Sequence, residues 1–212
     1  MENPVVIFGA KGLGVTAQEI FQSNNHLIYC FLDDDETLHG NDLNMISVLG
    51  STDDEGFLKL IGKKCDAFVA LENSKAREVV TEMLLNVRKV MPVNAIHNRS
   101  YISTYATLGF GNLIAAGASI GANTTLGSHC IVHTNATIDY EVVVDDFVQI
   151  GAGSVINSGV KVEKGVFIGS GVVIISGVKI GKNARIGAGS VVMNDIKAGT
   201  IVFGVPALEV KN

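Results

Sequence analysis

Aliphatic residues recur at every sixth position through the second half of the chain. The register is unbroken over sixteen positions, from Ile102 to Val192. A period of six keeps no single face of an α-helix, whereas short strands joined by corners can point every sixth residue inward. Glycine often comes next, where we expect it to supply the backbone angles of a sharp corner. The pattern predicts a triangular β-coil of eighteen residues per turn.

The first half of the chain has no such period. Apolar runs predict strands within residues 4–9, 27–35 and 66–73, and a glycine-rich turn after the first of them leads into a helix. A second helix is predicted over residues 74–87, with Ser74 as its cap. Strands alternating with helices are typical of a small parallel α/β unit.

The change of period divides the chain. We expect an α/β domain over residues 1–93, a linker over 94–101, the β-coil over 102–198 and a tail over 199–212.

Composition excludes several classes of protein. The net charge is −5 and no cluster of Lys and Arg is present, which argues against a nucleic-acid surface. Cys30, Cys65 and Cys130 are widely spaced, so we expect a reducing compartment and no metal site. Lys11 and Glu19 interrupt the first apolar stretch, and we therefore expect a cytoplasmic protein without membrane insertion.

The turn after the first strand contains Gly9, Gly12 and Gly14. Glycines at such a turn let backbone N–H groups approach a phosphate. The order G-x-x-G-x-G is not that of a dinucleotide site, so it does not indicate NAD. The alternative is an ordinary connection between strand and helix.

Polar residues also follow the next two predicted strands. Asp33 and Asp34 end the second strand, where a carboxylate can accept hydrogen bonds from a base or a ribose. Asn73 and Arg77 lie at the next strand end and the following helix. The alternatives are an acidic surface loop and an arginine on a solvated helix face.

The whole chain resembles the left-handed β-helix acyltransferases that carry an N-terminal Rossmann-like domain. These are the nucleotide-aminosugar N-acetyltransferases and the sialic acid O-acetyltransferases. The resemblance rests on the six-residue repeat and on several motifs: VVIFGAKGLG, FLDDD, VLGSTDD, AIH and GAGSVVMNDIKAGTIVFGVPALEV. It implies a homotrimer with active sites between adjacent coils, acetyl-CoA along the coil groove, and a nucleotide-linked sugar held by the N-terminal domain.

The family pattern assigns Asp33 and Asp34 to the uracil-type end of the nucleotide. The family usually has a histidine where this chain has Leu13, so any side-chain contact with the phosphate is lost while phosphate binding by the backbone remains.

The family's catalytic corner is also altered. Its histidine, flanked by carboxylates, corresponds to Tyr140, between Asp139 and Glu141. A second family histidine, which helps to hold the acyl carbonyl, corresponds to Gln149. Three alternatives are open: Tyr140 acts directly despite a phenol pKa of about 10, a buried Glu141 acts as the base, or a neutral amine needs no base.

His133 is a candidate substitute for the missing imidazoles. It lies eighteen residues before Gly151, on the corner that Gln149 occupies one coil away, and Tyr140 would face this corner only across two chains. The alternative is an ordinary turn histidine.

Two further features suggest a CoA site. Gly151, Gly169 and Gly187 stack in one column that leaves room for a pantetheine arm, and Lys182 and Arg185 are placed to meet phosphates. A column of glycines is equally what any β-helix needs.

These observations favour N-acetylation of a nucleotide-linked amino sugar by acetyl-CoA, in surface glycan or polysaccharide biosynthesis. A hydroxyl must lose its proton during attack, so sialic acid O-acetylation suits the altered corner less well. The other alternative is a catalytically silent trimer that binds a sugar nucleotide or CoA.

Overall fold

The computed structural model describes residues 3–210 of the 212-residue chain. It divides into two compact units, Met1–Asn98 and Arg99–Asn212.

The first unit is built on a five-stranded sheet. Its strands are β1 (Val5–Phe8), β2 (Ile28–Leu32), β3 (Asp42–Leu43), β4 (Ile46–Gly50) and β5 (Asp66–Val69). The order is β3-β4-β2-β1-β5; β4, β2, β1 and β5 are parallel, and β3 pairs with β4 in the antiparallel sense. All of β1 is buried, as expected for a parallel strand covered on both faces.

Helices connect these strands. They are α1 (Gly12–Ser23), a 3-10 turn (Glu36–Leu38), α2 (Glu55–Leu58), α3 (Ser74–Met83) and a π-helical turn (Leu84–Arg88). The prediction of Ser74 as the cap of α3 is wrong. The Asn73 side chain accepts hydrogen bonds from the backbone N–H groups of Lys75 and Ala76, so Asn73 caps the helix and Ser74 is its first residue.

No helix within residues 3–210 is long and apolar enough to cross a membrane.

The second unit is a left-handed parallel β-helix, which confirms the predicted coil. After β6 (Ala95–Ile96) at the end of the first unit, its two-residue strands are β7 (Tyr101–Ile102), β8 (Thr107–Leu108), β9 (Leu113–Ile114), β10 (Ser119–Ile120), β11 (Thr125–Leu126), β12 (Ile131–Val132), β13 (Thr137–Ile138), β14 (Val143–Val144), β15 (Gln149–Ile150), β16 (Val155–Ile156), β17 (Lys161–Val162), β18 (Phe167–Ile168), β19 (Val173–Ile174), β20 (Lys179–Ile180), β21 (Arg185–Ile186) and β22 (Val191–Val192).

Every aliphatic residue of the six-residue repeat is the second residue of one of these strands. Strands three apart in sequence pair in parallel, so Ile120 lies beside Ile138 and Ile138 beside Ile156. All of the repeat positions from Ile114 to Val192 are buried. Their burial stabilises the coil by about 1.5–3 kcal/mol for each side chain.

The corner glycines have a different role from the one predicted. A Cβ on Gly121 would lie 2.7 Å from the Asp139 carbonyl carbon, and one on Gly169 would lie 2.6 Å from the Ala188 nitrogen. Neither glycine has a positive φ; the left-handed residues stand two positions later, as at Asn123 (φ 57°) and Gly171 (φ 68°). Glycine directly after the strand therefore allows the next coil to approach closely.

The chain ends with β23 (Ile201–Phe203), parallel to β21, and β24 (Leu208–Glu209), antiparallel to β23.

Replacing Gly169 by alanine should destabilise the coil, because the added methyl group would meet the backbone at Ala188. We expect a loss of about 1–3 kcal/mol in the free energy of unfolding, measured by thermal or denaturant unfolding. Gly171→Asn is the matched control. Position 171 is open and other coils carry asparagine at this corner position, so a change within about 0.5 kcal/mol is expected. Equal losses in both variants would contradict the close-approach role.

Candidate active site

The carboxyl ends of β1, β2 and β5 enclose a cavity of about 280 Å³ in the first unit. Its lining residues come from the turn after β1, the end of β2 and the segment after β5: Gly9, Lys11, Leu13, Asp33, Ala70, Leu71 and Glu72. Ligands of parallel α/β sheets bind at this edge.

The glycine-rich turn is shaped by close backbone approach. Gly9 has φ 106°, and a Cβ there would lie 2.7 Å from the Ala70 carbonyl oxygen. A Cβ on Gly14 would overlap the Gly9 carbonyl. Gly12 begins α1, and Leu13 is buried against the cavity. Four of the predicted substrate residues are therefore brought together at one turn.

Asp33 ties this turn to the end of β2. One carboxylate oxygen accepts a hydrogen bond from the Ala10 N–H at 2.7 Å, and the other accepts one from the Asp35 N–H at 2.9 Å. Asp33 lines the cavity, and both of its carboxylate oxygens accept hydrogen bonds from backbone N–H groups.

Lys11 and Asp35 form an ion pair at the rim, with Nζ 2.7 Å from a carboxylate oxygen. The Lys11 hydrogen bond, helped by Thr37, lowers the pKa of Asp35 to about 2. The same contact raises the pKa of Lys11. Both groups therefore stay charged throughout the neutral range.

The other predicted substrate residues point elsewhere. Asp34 accepts hydrogen bonds from the backbone and hydroxyl of Thr52, at 2.9 and 2.8 Å. The Asn73 oxygen caps α3. Arg77 does not lie on a solvated helix face: it is 1% exposed, and its guanidinium donates to the carbonyls of Leu71 and Glu72. Through these two hydrogen bonds Arg77 supports the segment after β5 that lines the cavity.

Sequence reasoning missed Lys11, Ala70, Leu71 and Glu72 as lining residues. A signal for the last three was available, because β5 lies beside β1 and the residues after both strands must share one sheet edge.

In the second unit, Asp139, Tyr140 and Glu141 form the corner between β13 and β14. An Asp139 carboxylate oxygen accepts a hydrogen bond from the Tyr140 N–H at 2.8 Å. Glu141 occupies the left-handed position with φ 58°. Tyr140 and Glu141 are both exposed within the single chain.

A second polar corner follows β12. His133 Nε2 lies 3.0 Å from Gln149 Nε2, so His133 and the residue expected beside it one coil away are in contact. This corner and the Tyr140 corner lie at opposite ends of strand β13.

Gly151, Gly169 and Gly187 lie in one column, and each of them allows close approach of a neighbouring segment. Gly151 and Gly169 are buried, and a Cβ on Gly151 would lie 2.5 Å from the backbone at Gly169. A Cβ on Gly187 would strike the Phe203 ring. A side chain at any of these three positions would therefore collide with the next coil or the tail.

Arg185 lies in the same outward-facing row as Gln149. Gln149 pairs with Phe167 across β15 and β18, and Phe167 pairs with Arg185 across β18 and β21. The Arg185 guanidinium carbon lies 4.5 Å above the centre of the Phe167 ring. Lys182 is exposed at the preceding corner, where its backbone N–H donates to the Glu163 carboxylate.

Within residues 3–210, no group of His, Cys, Asp or Glu is arranged to hold a metal ion.

Known protein families match both units. Residues 4–84 match the PglD N-terminal domain, residues 159–194 the bacterial transferase hexapeptide and residues 141–176 the hexapeptide repeat of succinyl-transferase. A comparison with curated proteins finds no match.

Solved structures are similar over nearly the whole chain. A variant of perosamine N-acetyltransferase from Caulobacter crescentus, in complex with CoA and GDP-perosamine, is 27% identical with a TM-score of 0.92, covering 99% of this chain and 98% of that one. The acetyltransferase domain of PglB from Neisseria gonorrhoeae, with acetyl coenzyme A, is 27% identical with a TM-score of 0.91 (99% and 100% covered). WeeI from Acinetobacter baumannii is 25% identical with a TM-score of 0.88 (99% and 100% covered).

The repeated coil and these matches define a hexapeptide-repeat acyltransferase. More narrowly, the N-terminal unit matches the PglD N-terminal domain, and the solved structures similar over nearly the whole chain include an N-acetyltransferase in complex with GDP-perosamine.

Replacing Arg77 by methionine should leave the Leu71 and Glu72 carbonyls without their buried donor. We expect the free energy of unfolding to fall by roughly 2–4 kcal/mol, measured by urea denaturation. Lys75→Gln, on the exposed side of the same helix, should change it by less than about 0.5 kcal/mol. A loss no larger than that of the control would contradict a supporting role for Arg77.

Proposed function

We propose that the protein transfers the acetyl group of acetyl-CoA to the amine of a nucleotide-linked amino sugar, in the cytoplasm, for surface glycan or polysaccharide biosynthesis. The observation that carries this proposal is the likeness of both units together to an enzyme whose structure holds CoA and GDP-perosamine. The acetyl coenzyme A complex of the PglB domain supports the same donor.

In this proposal the domain over residues 1–93 holds the nucleotide at the cavity of Gly9, Leu13 and Asp33, and the coil over 102–198 performs the transfer. The amine nitrogen attacks the thioester carbonyl carbon, the carbon–sulfur bond breaks and CoA leaves as the thiol. One proton must leave the nitrogen during or after attack.

The working unit we propose is a homotrimer. Two polar corners lie at opposite ends of β13: one carries Tyr140 and Glu141, and the other carries His133 with Gln149 beside it. In the proposed trimer, the Tyr140 corner of one chain faces the His133 corner of the adjacent chain. Gln149 would then face the acyl group, with Arg185 and Lys182 further along the coil for the CoA phosphates.

Of the two protein bases, the geometry favours Glu141. His133 Nε2 is already in contact with the Gln149 amide at 3.0 Å, whereas Glu141 is exposed at the corner that carries Tyr140. Tyr140 shapes the corner, since a neutral phenol is a poor proton acceptor.

The reaction is tested by thiol release from acetyl-CoA with UDP-, GDP- and dTDP-linked amino sugars. We expect release with at least one amino sugar and none with the matching sugar that carries a hydroxyl in place of the amine. Release with the hydroxyl sugar alone would favour O-acetylation. Tight binding of both ligands without release would favour the silent trimer, which the absence of the family histidines supports.

The base is tested by Glu141→Gln, which preserves the shape of the corner and removes the charge. We expect kcat to fall by about a hundredfold or more, measured with the active amino sugar at saturating acetyl-CoA. His133→Ala should retain most of the rate, and Tyr140→Phe is the control for shape. Unchanged rates in both Glu141→Gln and His133→Ala would mean that the amine reacts without a protein base.

A further inference from the structure

We propose that Lys11 binds the diphosphate of the nucleotide-linked sugar and shields it from the carboxylates at the sheet edge. The inference rests on the proposed function, and it adds a specificity residue to the cavity of the first unit.

The charges around this cavity are unfavourable for a diphosphate. Asp33 and Glu72 both line it, and Asp35 lies directly beyond Lys11. Among the residues that line the cavity, Lys11 is the only cation. A diphosphate bound against the turn would be repelled by these carboxylates, which carry the same sign of charge. The Lys11 ammonium group would lie between the diphosphate and the nearest carboxylate, that of Asp35.

The position of Lys11 is fixed by a series of contacts. The Asp33 carboxylate holds the N–H groups of Ala10 and Asp35. The Asp35 carboxylate accepts from the Thr37 N–H at 3.1 Å and holds Lys11 Nζ at 2.7 Å. The turn and the loop after β2 are thus joined, and the ammonium group is held at the mouth of the cavity.

An ammonium group has three N–H donors, and Asp35 takes one of them. The others can reach phosphate oxygens without breaking the ion pair. Leu13, one turn into α1, presents only an aliphatic side chain to the same cavity. The side-chain contact with phosphate therefore falls to Lys11.

The test compares GDP, UDP and dTDP with their parent nucleosides by isothermal titration calorimetry. In Lys11→Gln, the affinity for the diphosphate that binds wild type best should fall about ten- to a hundredfold, which is the worth of one charge-assisted hydrogen bond. Nucleoside and acetyl-CoA affinities should stay within twofold. Lys75→Gln removes an exposed lysine elsewhere in the same unit and should change none of them.

A double mutant separates shielding from simple contact. If Lys11 shields the phosphates from Asp35, then Lys11→Gln combined with Asp35→Asn should recover part of the lost affinity, because the uncompensated carboxylate is gone. Additive losses would overturn the shielding role. Diphosphate binding to Lys11→Gln within twofold of wild type would overturn the proposal entirely. If wild type binds acetyl-CoA and no nucleoside diphosphate, the proposed substrate class itself fails, and Lys11 with it.

Discussion

The pairing of each coil with the next is the constraint on which the second unit depends. Backbone N–H groups donate to carbonyls seventeen residues later, as from Thr137 to Ser154 and from Asp139 to Ile156. These bonds fix the length of every coil, and the fixed length places each aliphatic residue in the interior. The ladder uses most of the backbone donors and acceptors along the strands, so chemical variety is confined to outward-facing strand residues and corners. Tyr140, Glu141, His133 and Gln149 all stand at such positions.

The coil could be predicted because its constraint repeats locally. One residue type every six positions is enough to reveal it, and the parallel α/β unit was visible through its apolar runs. The β3–β4 hairpin was not predicted. Its turn places Asn44 and Met45 at positive φ, without the glycine that usually marks such turns. The left-handed corner positions were missed for a similar reason, because Glu141, Phe147 and His129 occupy them as well as glycine and asparagine.

Site residues were harder to predict than strands because a side chain's direction depends on tertiary contacts. From the sequence, Arg77 resembles a surface arginine, but in the structure it is buried and donates to the Leu71 carbonyl of the loop that it supports. Asp34 lies beside Asp33 in sequence and turns instead to Thr52. The contact between His133 and Gln149 was predictable, because in a coil of fixed length the distance along the sequence gives the position in space. Sequence distance gives spatial position in this way only within the coil.

The constant coil length also limits how this half of the chain can change in size. Deleting one residue within a coil would break the register between that coil and its neighbours. Adding or removing eighteen residues would leave the stacking register intact, since each new coil would present the same edge as the old one. A corner is the one place where a few extra residues can bulge outward without breaking the ladder. Whole coils and corner loops are therefore the changes in length that preserve the ladder.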